Sequence, residues 1–226
     1  MNDPATIGQL YGRRQGHRLR AGQSALVEEW LPRLSVPADG PLDATALFGG
    51  DRPLGLEIGF GGGEHLAAQA AMRPEMGFIG CEPFLNGVVA ALGHVRDGGL
   101  ANVRLHMGDA LDVLRRLPDA SLDRAWLLHP DPWPKTRHAK RRFMNDGPIA
   151  LIAAKLRPGG DFRFGTDHPV YCRWAMMVMA RSPDFAWAAE TPDDFLVRPD
   201  DWPETRYERK ARRLGHEVWY FRYARR

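Results

Sequence analysis

From Leu56 the chain reads Leu-Glu-Ile-Gly-Phe-Gly-Gly-Gly-Glu-His-Leu, and few folds accommodate such a stretch. An apolar run gives way to glycines at 59, 61 and 63, and an alanine-rich segment follows. Glycine tolerates positive φ and lets the backbone approach a neighbour closely, which a tight strand-to-helix turn over a ligand requires. The remaining sequence repeats the alternation. Residues 54–58, 77–81, 102–107, 123–128 and 161–165 read as strands, and 65–72, 84–95, 110–116, 144–156 and 171–180 as helices. A turn, Arg157-Pro158-Gly159-Gly160, leads into the fifth strand. Late strands are expected at 185–188 and 216–223, with no clear helix between them. Strands alternating with helices predict a doubly wound α/β sheet, mostly parallel, seven-stranded, with helices on both faces. The last pair predicts an antiparallel strand at that edge.

Residues 1–50 are rich in Gly, Pro and Arg, and the piece from Gly12 to Arg20 has no hydrophobic period. They read as a basic, partly flexible arm, with a short helix or turn at 24–34 ended near Pro32 and Pro37. Residues 51–226 then form one domain, and 226 residues suffice for one sizeable core. No apolar run approaches the ~20 residues of a membrane span, and the N-terminus does not read as a secretory signal. Two cysteines without a CxxC give no disulfide framework. A cytoplasmic protein that is a monomer or homodimer is expected. No metal site is expected either, because the eight histidines never pair as HxxxH or HExxH.

The formal net charge is only +3, yet the cations cluster. Residues 135–142 hold five Lys and Arg and no acid, 206–226 hold eight against two acids, and 13–20 add four arginines. Three such patches suit a polyanion.

The glycine spacing, G-x-G-x-G, is not the G-x-G-x-x-G of dinucleotide folds. Glu57 precedes the first glycine. A negative charge there repels a pyrophosphate but can hold a cationic sulfonium amino acid. This pattern resembles the first motif of class I S-adenosylmethionine-dependent methyltransferases, which have a Rossmann-like fold. Glu82 closes the second strand, where a carboxylate can accept two ribose hydroxyls, and Asp109 follows the third, near an adenine edge. Each could instead be a helix N-cap or a solvated loop acid. In such enzymes the loop after the fourth strand faces the transferable methyl. Here it reads His129-Pro-Asp-Pro-Trp-Pro134. Its prolines fix φ and bias their predecessors towards extended geometry, giving Asp131 a fixed direction. Trp133 could stack a base or simply pack, and His129 and His168, near strand ends, could line the pocket or be satisfied structural histidines, the commoner fate.

The run Pro-Asp-Pro-Trp-Pro-Lys-Thr-Arg-His-Ala-Lys-Arg-Arg, ending at Arg142, resembles the hallmark of bacterial tRNA (guanine-N7-)-methyltransferases. Arg13-Arg-Gln-Gly-His-Arg18, Gly80-Cys-Glu-Pro-Phe84, Phe164-Gly-Thr-Asp-His-Pro169, Thr205-Arg-Tyr-Glu208 and Arg213-Leu-Gly-His-Glu-Val-Trp-Tyr220 match along nearly the whole chain. Thr136 stands where the family often has a second basic residue. The resemblance implies S-adenosylmethionine as cofactor, tRNA as partner and methyl transfer to N7 of a guanosine in the variable loop. By position, Glu57, Gly59, Gly61, Gly63, Glu82, Asp109 and Asp131 would line the cofactor site, with Asp131 also the catalytic aspartate. Lys135, Asp167, Thr205, Arg206, Tyr207 and Glu208 would meet the guanine or its neighbours. Arg137, His138, Lys140, Arg141 and Arg142 would lie against RNA. Guanine N7 carries a lone pair and no proton, so positioning matters more than a general base. Asp131 or Asp167 could accept from guanine N1–H and the exocyclic amine. Other readings are a methyltransferase for another RNA or a small molecule, and a non-catalytic RNA-binding protein on this fold. A nicotinamide oxidoreductase fits the glycine spacing least.

Overall fold

A computed structural model describes residues 16–226. The first fifteen residues, including part of the expected basic arm, lie outside the described residues. Two helices come first, α1 (Ala21–Leu34) and α2 (Ala44–Phe48), then β1 (Leu54–Ile58), α3 (Glu64–Met72), β2 (Gly77–Cys81), α4 (Leu85–Asp97), β3 (Val103–His106) and α5 (Ala110–Arg116). The second half runs β4 (Leu122–Leu128), a 3-10 turn (Thr136–Arg141), α6 (Asp146–Lys155), β5 (Leu156–Thr166), α7 (Pro169–Arg181), β6 (Phe185–Trp187), α8 (Asp193–Leu196), α9 (Arg206–Arg213) and β7 (Trp219–Arg225).

The seven strands order as β3-β2-β1-β4-β5-β7-β6. Pairing is parallel from β3 to β5, and β7 is antiparallel to both β5 and the edge strand β6. The expected antiparallel pairing is thus at that edge, although two helices precede β7. Strand direction reverses its march across the sheet between β1 and β4, so their carboxyl ends open a crevice at the switch point. Side-chain alternation splits the core in two. Ala125, Leu127, Phe162, Phe164 and Phe221 face α5, α6 and α7. Trp126, Leu128, Phe78 and Tyr220 face α3, α4 and α9.

Three local expectations need correction. First, α1 starts at Ala21, earlier than the sequence suggests, and runs through Pro32. Pro32 is exposed, so the carbonyl it leaves without an amide donor can be hydrated. The helix docks through Leu34, and Val36 N donates to Leu105 O at 3.0 Å beside β3. Leu34, Val36, Leu42, Ala44 and Leu47 are buried and belong to the core. Second, 157–160 is an irregularity inside β5: Gly159 takes φ +75° and the register against β4 shifts there. Third, α9 forms although its sequence, Arg-Tyr-Glu-Arg-Lys-Ala-Arg-Arg, has no apolar stripe. Only Glu208 and Ala211 are buried, and the Thr205 side chain caps the helix by accepting from Glu208 N. Among the described residues no helix is long and apolar enough to cross a membrane.

The segment leading into α9 is pinned by Trp202, which is fully buried. Its ring meets Tyr220 edge-on at 5.4 Å, and a Cβ on Gly165 of β5 would come within 3.1 Å of it. Trp202→Ala is expected to destabilise the protein by about 3–5 kcal/mol, measured as a lower urea midpoint at unchanged m-value.

Candidate active site

Gly59, Gly61 and Gly63 adopt φ of +70°, +58° and +80°, so the spacing marks three left-handed positions in one turn. The turn folds across β2: Gly59 N and Phe60 N both donate to Cys81 O, at 2.8 and 3.3 Å. Gly61 N donates to Glu82 Oε2 at 2.8 Å and Phe84 N to Oε1 at 2.9 Å. α4 closes in so tightly that a Cβ on Gly87 would lie 2.2 Å from Gly61 O. At Gly59 a Cβ would meet nothing within 4 Å, so the turn's backbone faces open space. That opening, beside a strand-end carboxylate with lone pairs to spare, fits a nucleoside that needs close backbone approach.

Glu82 is 8% exposed. Burial raises its pKa, the two backbone amides work against this, and the charge of Asp131 raises it further. Asp109 does cap α5, with Oδ1 accepting from Leu111 N at 3.0 Å, which leaves Oδ2 for a ligand. Burial raises its pKa too, against the Leu111 amide. Glu57 sits beneath the turn, 3% exposed. His65 Nδ1 lies 2.8 Å from Glu57 Oε2, so Oε1 is the oxygen left for a cofactor. Gln69 Nε2 lies 3.2 Å from His65 Nε2 and donates to Asp201 O at 2.6 Å. With the amide of Gln69 as donor, His65 accepts at Nε2 and gives its Nδ1 proton to Glu57.

The loop after β4 is tight in a way the prolines alone do not predict. His129 and Trp133, each just before a proline, take φ of +47° and +41° instead of extended values. Such conformations cost of order 1–3 kcal/mol each, so the surroundings must hold them. Asp131 is exposed, and its charge acts on both Glu82 and the buried Tyr171. Trp133 packs: His138 meets it edge-on at 5.7 Å and the Arg141 guanidinium lies 4.9 Å from its ring centroid.

At the end of β5, Asp167 lies between two histidines. His129 Nδ1 is 3.5 Å from Oδ1 and His216 Nδ1 is 3.5 Å from Oδ2. His129, with its partial help from His216, holds the carboxyl down at about 2 despite the opposing effect of burial. Both ring nitrogens of His129 are buried, and its Nδ1 approaches the Asp167 carboxylate. Of this trio the sequence offers Asp167 as a substrate contact and His129 as one of two histidines that could line the pocket, while His216 stands only as part of a motif. By contrast His168 is structural, capping α7 by accepting from Val170 N.

The first turn of α9 joins this site to the glycine turn. Tyr207 lies where a Cβ on Gly61 would be 3.1 Å from its ring, and Arg206 Nε is 3.6 Å from Glu64 Oε1. Thr205, buried, spends its hydroxyl as the α9 cap at 3.1 Å. Glu208 departs from the expected substrate contact. It is wholly buried, with Oε1 accepting from Tyr220 OH at 2.6 Å and pairing with Arg212 at 3.0 Å and Arg198 at 3.3 Å. Burial and this carboxylate push the Tyr220 phenol up to about 12. In the basic run, Lys135, Arg137 and Lys140 are exposed and His138 is half-buried. Arg142 is the second departure. It is 5% exposed, and its guanidinium donates to Pro132 O and Trp133 O, so it cannot meet RNA in this arrangement.

Comparison with known proteins agrees with this geometry. Residues 51–221 match the model of a family described as "Putative methyltransferase". A tRNA (guanine-N(7)-)-methyltransferase of Zymomonas mobilis is 66% identical over 225 residues, spanning 100% of this chain and 97% of that protein. One of Novosphingobium aromaticivorans is 65% identical, spanning 99% and 97%. The chain belongs to the tRNA (guanine-N7-)-methyltransferase family. Among solved structures, an rRNA methylase from Streptococcus thermophilus superposes with TM-score 0.51 at 14% identity, over 93% of this chain and 99% of that one. An antibiotic-related methyltransferase gives TM-score 0.51 at 17% identity, over 78% and 89%. At such identities the likeness is one of fold, the Rossmann-like class I architecture.

The depressed Asp167 carboxyl gives this family member a pH signature. Its pKa lies below the ordinary 3.8, so its stabilising effect is present above that value and is lost as pH falls through about 2. Because the side chain is 33% exposed, solvent screening reduces the effect to about 1 kcal/mol. Asp167→Asn should therefore lose less stability than the parent between these pH values, read by urea unfolding at each pH.

Proposed function

We propose that this protein transfers the methyl group of S-adenosylmethionine to N7 of a guanosine in the variable loop of tRNA, and that it works in the cytoplasm. One observation carries the reading. Asp131, Asp167 and the first turn of α9 gather at the carboxyl ends of β4 and β5, beside the open glycine turn, with an exposed basic turn adjoining.

The cofactor supplies an electrophilic methyl on a positively charged sulfur. Everything else falls to the chain. The backbone at Gly59 leaves room for the nucleoside, the carboxylate of Glu82 accepts from its ribose, and Asp109 lies towards the base. Glu57, with Oε1 free, and Asp131 favour a cationic centre electrostatically. On the other side, Asp167 stays ionised at every physiological pH and can accept from guanine N1–H and the exocyclic amine, which adenine cannot offer in that pattern. The attacking N7 has a lone pair and no proton, so no side chain needs to act as a base. A fixed carboxylate at Asp131 offsets the positive charge that develops on the purine as the N7–carbon bond forms and the carbon–sulfur bond breaks. Arg206 and Tyr207 border the glycine turn, Lys135 would meet the guanine or its neighbours, and Arg137 and Lys140 present charge to the phosphate backbone.

The test is incubation with unmodified tRNA and methyl-labelled S-adenosylmethionine, followed by mapping of the label. Label at guanine N7 is expected, with Asp131→Ala reducing turnover about a hundredfold or more; label on another atom, or none, refutes the reading. Binding should weaken steeply with salt. Replacing Arg137 and Lys140 together with alanine should flatten the slope of log affinity against log salt by about 1–2, measured by filter binding.

A further inference from the structure

The basic turn carries cations of two kinds. Arg137 and Lys140 point outward, whereas Arg142, which ends the same turn, points in. Its Nε donates to Pro132 O at 3.1 Å and its Nη2 to Trp133 O at 3.0 Å. The guanidinium stacks 4.7 Å from the ring centroid of Trp174 on α7, whose indole N–H donates to Met144 O just beyond the turn. Arg142 N also donates to Ala139 O, closing the 3-10 turn onto the same residue. A rigid planar fork therefore grips two successive carbonyls of the loop. Those carbonyls straddle the left-handed Trp133 and come directly after Asp131. At its other end the loop is tied by His129 N donating to Gly165 O at 2.8 Å.

We infer that Arg142 is a positioning residue: it fixes the strained Pro132–Trp133 carbonyls and thereby the direction of the Asp131 carboxylate, while its neighbours in the same turn take the RNA. Docking of phosphates on the outer face and the aim of the carboxylate are then coupled through one short helical turn. The inference rests on the methyl-transfer function proposed above, but it makes a claim about the loop that holds without catalysis.

Two measurements separate it from an RNA contact. With Arg142→Lys, which keeps the charge but loses the planar fork, kcat for tRNA methylation should fall about tenfold to a hundredfold. KM for tRNA and the salt slope of binding should hold within about twofold. Trp174→Leu, which removes the platform under the guanidinium and leaves every cation in place, should show the same signature. The outer variant Arg137→Ala/Lys140→Ala should instead raise KM and flatten the slope. Independently of activity, hydrogen–deuterium exchange of residues 129–136 without RNA should quicken several-fold in Arg142→Lys and Trp174→Leu and stay at the parent rate in the outer variant. A parent without methylation activity refutes the function while leaving the exchange test intact. Unchanged exchange in both inner variants overturns the clamp, as does an Arg142→Lys protein that keeps kcat and loses RNA affinity.

Discussion

Asp201 ties the lead-in to α9 to β4, β5 and α3. Its Oδ1 receives Arg163 at 2.7 Å, its Oδ2 lies 3.1 Å from Arg73 and 3.4 Å from Arg124, and its carbonyl receives Gln69 at 2.6 Å. Through Gln69 and His65 the chain of contacts reaches Glu57 on β1, and through Arg163 it reaches β5, where Asp161 is a second partner at 2.7 Å. Burial alone would raise the Asp201 carboxyl, but the three arginines outweigh it and bring the value to about 2. Arg163 is 2% exposed, and an ion that deep is tolerable only when paired and hydrogen-bonded. The network therefore fixes the lead-in to α9 in one place. That in turn sets Tyr207 against the glycine turn and completes the crevice between the two ends of the sheet.

Where a segment obeys its own local rules, the sequence is legible. β1 and β2 have the predicted bounds because their runs are largely apolar and stop at Gly59 and at Glu82. The three glycines of the turn are all left-handed for the reason their spacing suggests. α9 was illegible because it is held by charges rather than by an apolar stripe: a Thr205 cap, a buried Glu208 and an arginine on each side of that carboxylate. α1 was half-legible: it ends at Leu34 as its segment suggests and starts at Ala21, before the expected Ser24.

The site shows the same division. Strand-end acids could be placed by topology alone, since the carboxyl ends of parallel strands share one edge. What a sequence does not carry is which member of a charged run turns inward. Arg137 and Arg142 are alike as residue types, five positions apart in one basic stretch, and one is exposed while the other is buried against Trp174. The difference lies in carbonyls that become available only because Trp133 adopts a conformation a non-glycine residue normally avoids. The same holds for Glu208, whose partner Tyr220 arrives from a strand twelve residues later.

A carboxyl held at about 2 is a poor proton acceptor, and Asp167 is held there by two imidazoles. For a reaction that removes a proton from its nucleophile this would be a defect. For attack by a ring nitrogen that already owns a lone pair it is an advantage, because the carboxylate remains a fixed negative acceptor across the working pH range. The strain tells the same story. Two left-handed residues before prolines would be wasted on a mobile general base, which must follow its proton. Under the role proposed for Asp131 they suit a carboxylate that stays where the charge would appear, since electrostatic stabilisation is worth most when the group needs no reorganisation as the reaction proceeds. The chemistry of N7 thus explains why the loop invests in rigidity rather than in a tuned base.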